Sequence, residues 1–160
     1  MLLSDADRLA RQLMAEWLDP NTDGHWSFGF DRAKKRFGVC IHSPRRRIQL
    51  SAYLVNLNDD ARVRDTILHE IAHAKAGHRA GHGRVWKLWA IKVGAPPRRC
   101  YDDTNTTSPA ARWHVICGAC GEIVSRRHRR SRASLSRRYH NRCGVRSMGT
   151  LRMVPATAAA

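Results

Sequence analysis

Acidic residues are scarce in this chain of 160 residues: 13 Asp and Glu stand against 29 Lys and Arg, giving a formal charge of +16 and a pI near 11.1. An excess of that size goes beyond what solubility needs and points to a polyanionic partner, most simply nucleic acid, with an anionic membrane surface as the rival. Long apolar runs are missing as well, which leaves no candidate for a spanning helix. The N-terminus, with Asp5, Asp7 and Glu16 in it, lacks the form of a signal peptide. The expected setting is therefore cytoplasmic, with association with a nucleoid left open, no membrane partner and a monomeric chain. Cysteine is sparse too, and without export the five present are expected to be reduced and available to metals rather than paired in disulfides. The apolar content, 42% with five tryptophans, is enough for a real core in one modest domain, or in a small domain with an appendage.

The most informative stretch is His69-Glu70-Ile71-Ala72-His73, followed by Gly77-His78 and Gly81-His82-Gly83. On a helix, residues four apart stand one turn above each other, so His69 and His73 can offer two imidazoles to one Zn²⁺ while Glu70 takes the proton of a water activated there. Val63, Ile67, Ile71 and Ala74 form an apolar stripe, which predicts a core helix with Asn58 as N-cap, Asp59 and Asp60 at its positive end and Gly77 as C-cap. Two histidines and a glutamate beside such a stripe need partners, because an unpaired buried polar group is costly. A solvated helix with two idle histidines is the bland alternative, and the short pattern alone does not exclude it. Chemistry of this kind is that of a zinc hydrolase.

A third ligand is expected from His82 in preference to His78. His78 follows Gly77 directly and leaves the chain little length to turn back, whereas His82 has that length and opens a second amphipathic helix, Arg84 to Val93, with Val85, Trp86, Trp89, Ala90 and Val93 for packing. The metzincin spacing would place a histidine at position 79, which is Arg79.

Upstream, residues 4 to 18 read as a helix capped by Ser4, with Ala6, Leu9, Leu13 and Trp17 at helical spacing and Pro20 as its stop. His25 to Phe30 and Arg36 to His42 read as the two strands of a hairpin, and Arg47 to Ser51 as a third strand with Ile48 and Leu50 on one face. His25 and His42 have no ligand spacing and read as surface or strand-end residues. Tyr53 to Leu57 lead into the histidine helix.

In that order, the pieces resemble a family. Trp26-x-Phe28-x-Phe30-Asp31-x-Ala33-x-x-Arg36-x-Gly38-x-Cys40, then Ile48-x-Leu50-Ser51, Asp65-Thr66-Ile67-Leu68-His69-Glu70-Ile71-Ala72-His73-Ala74 and His82-Gly83 look like the SprT-like, or Spartan-type, metalloprotease domain over residues 4 to 100. The resemblance implies a compact zincin-like fold, a glutamate-assisted zinc protease and, for the best-known members, proteolysis of proteins crosslinked to DNA. It carries His69, His73 and His82 over as ligands and Glu70 as base. The spacer between His73 and His82 is short and contains a further histidine.

Residues 102 to 109 are polar, lack periodicity and end in proline, and so read as a linker. Beyond it Arg126, Arg127, Arg129, Arg130, Arg132, Arg137 and Arg138 crowd a segment whose only acid is Glu122. Cys117-x-x-Cys120 and His140-x-x-Cys143 lie within it, two knuckles with the layout of a structural zinc ribbon; His128 is a second choice for the histidine, and a disordered basic tail is the bland alternative. SprT-like proteins often carry such a ribbon, ordinarily with cysteine where His140 stands. Cys40 and Cys100 read as packed thiols.

The expected protein is α+β: a zincin-like catalytic domain at 1–101 with helices on a small three-stranded sheet, a linker at 102–109, a basic zinc ribbon at 110–154 and a frayed tail at 155–160. It would hold one catalytic and one structural Zn²⁺, with those arginines on DNA regardless of sequence and DNA-bound protein as substrate. Tyr53 and Tyr101 are candidates by residue type for stabilising the oxyanion. A binding module with a structural or idle histidine site is the second reading, and Glu70 is what such a site would not need.

Overall fold

The computed structural model describes residues 1–98, 106–130 and 134–158, and the chain divides into two compact units, Met1–Pro109 and Ala110–Ala160. The architecture is mixed α+β, with four α-helices and two three-stranded sheets among the described residues. Among the described residues no helix is long and apolar enough to cross a membrane.

In the first unit the elements run α1 (Leu3–Trp17), β1 (Ser27–Asp31), β2 (Gly38–Ile41), β3 (Arg47–Ser51), α2 (Ala52–Leu57), α3 (Asp60–Ala76) and α4 (Arg84–Val93). Helix α1 starts a residue earlier than its sequence signal. Leu2 precedes it without a side-chain cap, and Ser4 lies in the first turn. The expected hairpin is not formed. Strand order is β1-β3-β2, with β3 parallel to β1 (Phe28 opposite Ile48) and antiparallel to β2 (Cys40 opposite Ile48). Ile48 and Leu50 are both fully buried, so the strand with most to hide takes the centre, and β2 is left as an edge.

Asn58 does not cap the histidine helix. Asp59 does, its carboxylate accepting from the Arg62 N–H at 2.7 Å. Asn58 instead grips the chain where it returns: its amide donates to the carbonyls of Leu54 (2.7 Å) and Thr107 (2.8 Å), and its side-chain oxygen accepts from the Thr107 N–H at 2.8 Å. Thr107, inside the stretch expected as linker, is thus bonded into the first unit. At the other end of α3, Gly77 takes φ +85°, which a side chain would resist.

Helix α3 is wrapped by α1, α4 and the sheet, and Val63, Ile67, Leu68, Ile71 and Ala72 on it are buried. Leu13 of α1, Leu54 and Val55 of α2, and Trp86, Ala90 and Val93 of α4 complete the core around it. Val85, expected to pack, is exposed. A helix enclosed on so many sides fixes its side chains in place, which is what a site built on it requires.

The second unit is a three-stranded sheet, order β5-β4-β6, from β4 (Trp113–Ile116), β5 (Ile123–Arg127) and β6 (Arg152–Pro155). Among the described residues its apolar core holds Val115, Cys117 and Leu151 as buried side chains, with Val124, Leu135, Cys143 and Met153 partly buried against them. Pro155 pairs with Trp113 in β6, so it belongs to the sheet and not to the expected frayed tail. Burial on this scale rarely sustains a fold without a crosslink or a metal.

Candidate metal centres

Helix α3 presents His69 and His73 one turn apart, and the loop opened by Gly77 brings His82 back to them. The Nε2 atom of His82 lies 3.1 Å from that of His73 and 3.1 Å from that of His69. Three nitrogens at ordinary zinc distances in a tetrahedron stand about 3.3 Å apart, so this donor set fits such an ion. Trp86 underlies all three rings, with centroids at 4.8 Å from His69, 5.3 Å from His73 and 4.6 Å from His82. Burial, then the neighbouring imidazoles, push His69 down to about 3 and His73 down to about 4. Both are therefore neutral near pH 7, the state a metal ligand must have. His78 is exposed and stands apart from the three convergent nitrogens, on the wall of the same cleft.

Glu70 is buried between α3 and β2, and the reason it fits is Gly38. A Cβ at that position would come within 2.7 Å of Glu70 Oε1 and 2.9 Å of Thr66 Cγ2. Burial pushes the Glu70 carboxyl up to about 8, against the opposing pull of Arg36 and a hydrogen bond from the Cys40 backbone N–H. A carboxyl poised near neutrality is suited to proton transfer, and a dication beside it would favour its ionised form. The cleft, about 350 Å³, is walled by β2 through Gly38 and Cys40, by His42 just beyond its end, and by the loop through His78.

His42 was the residue least visible in the sequence. Strand alternation from Gly38 through Cys40 was its available signal, since it aims the same face at α3. Tyr53 is not at this site: it is exposed, with the Lys34 ammonium 5.1 Å over its ring. Tyr101 and Cys100 lie outside the described residues. Cys40 is half-buried and packs against the core, as expected, while also lining the cleft.

In the second unit Cys117, Cys120, His140 and Cys143 come together. Cys117 Sγ lies 3.9 Å from Cys143 Sγ, and His140 Nδ1 lies 3.4 Å from Cys120 Sγ and 3.5 Å from Cys143 Sγ. Tetrahedral zinc with sulfur and nitrogen ligands separates them by about 3.6–3.8 Å, so this set fits too. Burial alone would raise the Cys117 thiol, yet hydrogen bonds from the Ala119 and Cys120 amides and the adjoining thiols bring it down to about 6, towards the thiolate a metal takes. Glu122, unremarked in the sequence except as an isolated acid, lies 3.7 Å from His140 Nε2 and also pairs with Arg142. A carboxylate on the far nitrogen of a ligand histidine orients the ring. His128 is outside the cluster.

Arg126, Arg129, Arg130, Arg137 and Arg138 are exposed and Arg127 is half-buried, while Arg132 lies outside the described residues. Arg127, Arg137 and Arg138 flank one concavity of about 440 Å³ together with Tyr139; Arg130 sits 5.6 Å over the Trp113 ring. Among the described residues, Arg126, Arg129 and Arg130 do not line it.

Two histidines one turn apart on a buried helix, a third from the following loop and a buried glutamate define the class: a zinc-dependent, protease-like domain. The chain belongs to the SprT-like family, whose model matches residues 6–108. It is 24% identical over 119 residues to the germ cell nuclear acidic-1 protein of Caenorhabditis elegans, covering 70% of this chain and 22% of that protein. It is 41% identical over 49 residues to the germ cell nuclear acidic protein of Drosophila melanogaster, covering 29% of this chain and 5% of that one. The chain thus spans under a quarter of the length of these relatives.

Proposed function

We propose that the protein is a zinc-dependent endopeptidase acting on proteins associated with DNA, including proteins crosslinked to it. The observation that carries this reading is the convergence of three imidazoles, with His82 Nε2 3.1 Å from the Nε2 atoms of both His69 and His73, beside a buried carboxyl. His69, His73 and His82 would hold the catalytic ion; Cys117, Cys120, Cys143 and His140 would hold a structural one. A bound Zn²⁺ supplies Lewis acidity and lowers the pKa of water to near neutrality. Glu70 accepts the water's proton as general base and then delivers it to the departing amine. Trp86 excludes water beneath the histidines and keeps them neutral, and Gly38 leaves Glu70 the space to sit at the cleft. As the sheet's edge along the cleft, β2 can pair with an extended peptide through main-chain hydrogen bonds, a recognition mode that reads little sequence.

Selectivity would then come from placement. Each arginine that neutralises a phosphate releases counterions without reading base edges, so DNA binding by the basic unit should be steeply salt-dependent and nearly indifferent to sequence. The relatives' names place those proteins in germ-cell nuclei, which agrees with work near DNA; for this chain, location at the nucleoid or nucleus is part of the proposal. The alternative, a nucleic-acid-binding zinc protein with an idle histidine site, draws on the same +16 charge but gives no reason to bury Glu70 at a cleft.

The test compares cleavage of a linker histone with and without DNA over a salt series, using wild type and Cys117→Ser/Cys120→Ser. DNA should stimulate the wild type at low salt, the stimulation should fade as salt rises, and the double variant should lose it while retaining catalytic zinc. Equal cleavage with and without DNA in both proteins would overturn the DNA-dependent part.

A further inference from the structure

Ligands and a base do not complete a peptidase. Negative charge gathers on the carbonyl oxygen as water adds, and a fixed donor aimed at that oxygen contributes a large share of the rate. Tyr53 is exposed and does not line the cleft. The cleft's other wall is formed by β2 and the residue just past its end.

Gly38 and Cys40 share the face of β2 that meets Glu70, and His42 continues their alternation just past the strand's end at Ile41. It lines the same cleft as Glu70 and the three convergent histidines. Its ring is held from three sides. Trp26 meets it edge-on at 5.3 Å, His78 stands at 5.6 Å, and Cys40 Sγ lies 3.6 Å from Nε2. Three contacts on one ring at a strand end restrict its rotamers, and that rigidity distinguishes it from the exposed His78.

The geometry points to His42 as a catalytic residue of this cleft, donating a ring N–H to the carbonyl oxygen of the bound peptide and, more strongly, to the oxyanion that follows. The inference rests on the endopeptidase reading. Burial holds the Cys40 thiol well above the usual range, so it stays an S–H group. In the tautomer proposed, this thiol donates to His42 Nε2 and the ring proton sits on Nδ1, which is then the donor. Burial first, then the neighbouring His78 and Arg46, keep His42 itself below the ordinary histidine range, so it acts as a neutral imidazole at pH 7. Nothing in this role requires His42 to touch the metal, so zinc content and donation to substrate are separable.

The test uses the full chain loaded with zinc, with His42→Leu, His42→Gln and, as control, His25→Ala, an exposed histidine away from this cleft. Three quantities are read: kcat and KM on quenched-fluorescent casein, zinc per chain, and the affinity of a phosphinic peptide that mimics the tetrahedral state. His42→Leu should lose about 10²-fold in kcat, the scale of one oxyanion donor, with KM changed by less than about threefold. Affinity for the phosphinic peptide should fall by a similar factor, with zinc retained. His42→Gln, which keeps an N–H, should recover part of the loss, and His25→Ala should match wild type. If His42→Leu keeps kcat within about threefold of wild type, the inference falls and the endopeptidase reading stands. Loss of zinc in both His42 variants would also overturn it, since His42 would then be supporting the metal site. Wild type that cleaves nothing would remove the endopeptidase reading and this inference with it. Should His42→Leu fail to fold, His42→Ala takes its place: a loss of kcat and of phosphinic-peptide affinity in Ala that Gln partly restores supports the inference, and an Ala variant that keeps kcat within about threefold of wild type overturns it.

Discussion

The two units of this chain hold metal-competent side chains for different reasons. The first buries twenty-one apolar residues in its described core and encloses the histidine helix within them. The second buries three among its described residues, one of which is Cys117 itself. In the first unit the histidines are mounted on a scaffold that stands without them. In the second, the ligand cluster occupies the place a core would take. A metal would thus be an addition to one unit and part of the fold of the other.

Removing metal should separate the two most widely. Chelation of the zinc-loaded protein, followed by backbone NMR, should abolish dispersed signals from the second unit while α1, α3 and the first sheet persist; equal loss in both units would erase the distinction. Next in size is the third ligand. His82→Ala should weaken zinc binding at the histidine site by more than the 10–100-fold or so that loss of an outer-shell partner costs. His78→Ala should leave zinc content unchanged, and the reverse result would reassign the site.

A smaller effect is expected at Gly38. Alanine there would set its Cβ 2.7 Å from Glu70 Oε1, so the carboxylate or the strand must shift. Overpacking of this kind costs about 1–3 kcal/mol, read as a lower denaturation midpoint, and activity should fall as Glu70 is displaced. Gly77→Ala, strained at φ +85° but with no atom within 4 Å of the added methyl, should lose stability without displacing Glu70.

The smallest effect is a pH dependence in metal-free protein. Glu70 is raised in the fold, from an ordinary 4.5 to about 8, so its contribution to stability is fully present below pH 4.5 and is lost as pH rises through 8. The depressed His69 and His73 act oppositely, losing stability as pH falls from 6.5 towards 4. Glu70→Gln should therefore leave the acid limb in place and flatten the loss between pH 5 and 8 seen by thermal melting of the chelated protein. An unchanged profile on that side would mean the carboxyl is solvated.

Much of the first unit was legible because its signals are local. Helix α4 and strand β3 have the ends their residues suggest, and four-residue spacing alone set His69 over His73. Neighbour identity was not local. The alternation at Phe28 and Phe30 fits any partner, so nothing in it could say that β3 would come between β1 and β2. Asn58 and Asp59 are both good capping residues, and only the return of Thr107 decides that Asn58 is taken elsewhere. His42 was passed over because its relation to the histidine helix is tertiary, through an edge strand, and not a spacing. Glu122 was missed for the same reason: twenty residues of arginine-rich chain separate it from Arg142, the residue it pairs with beside His140.

The most direct test of the central claim is metal content and proteolysis measured together on wild type and Glu70→Gln. Glu70 is assigned a proton to carry and no metal to hold, so the variant should keep about two Zn²⁺ per chain and lose cleavage. A variant that retains both zinc ions and still cleaves at the wild-type rate would contradict the assignment.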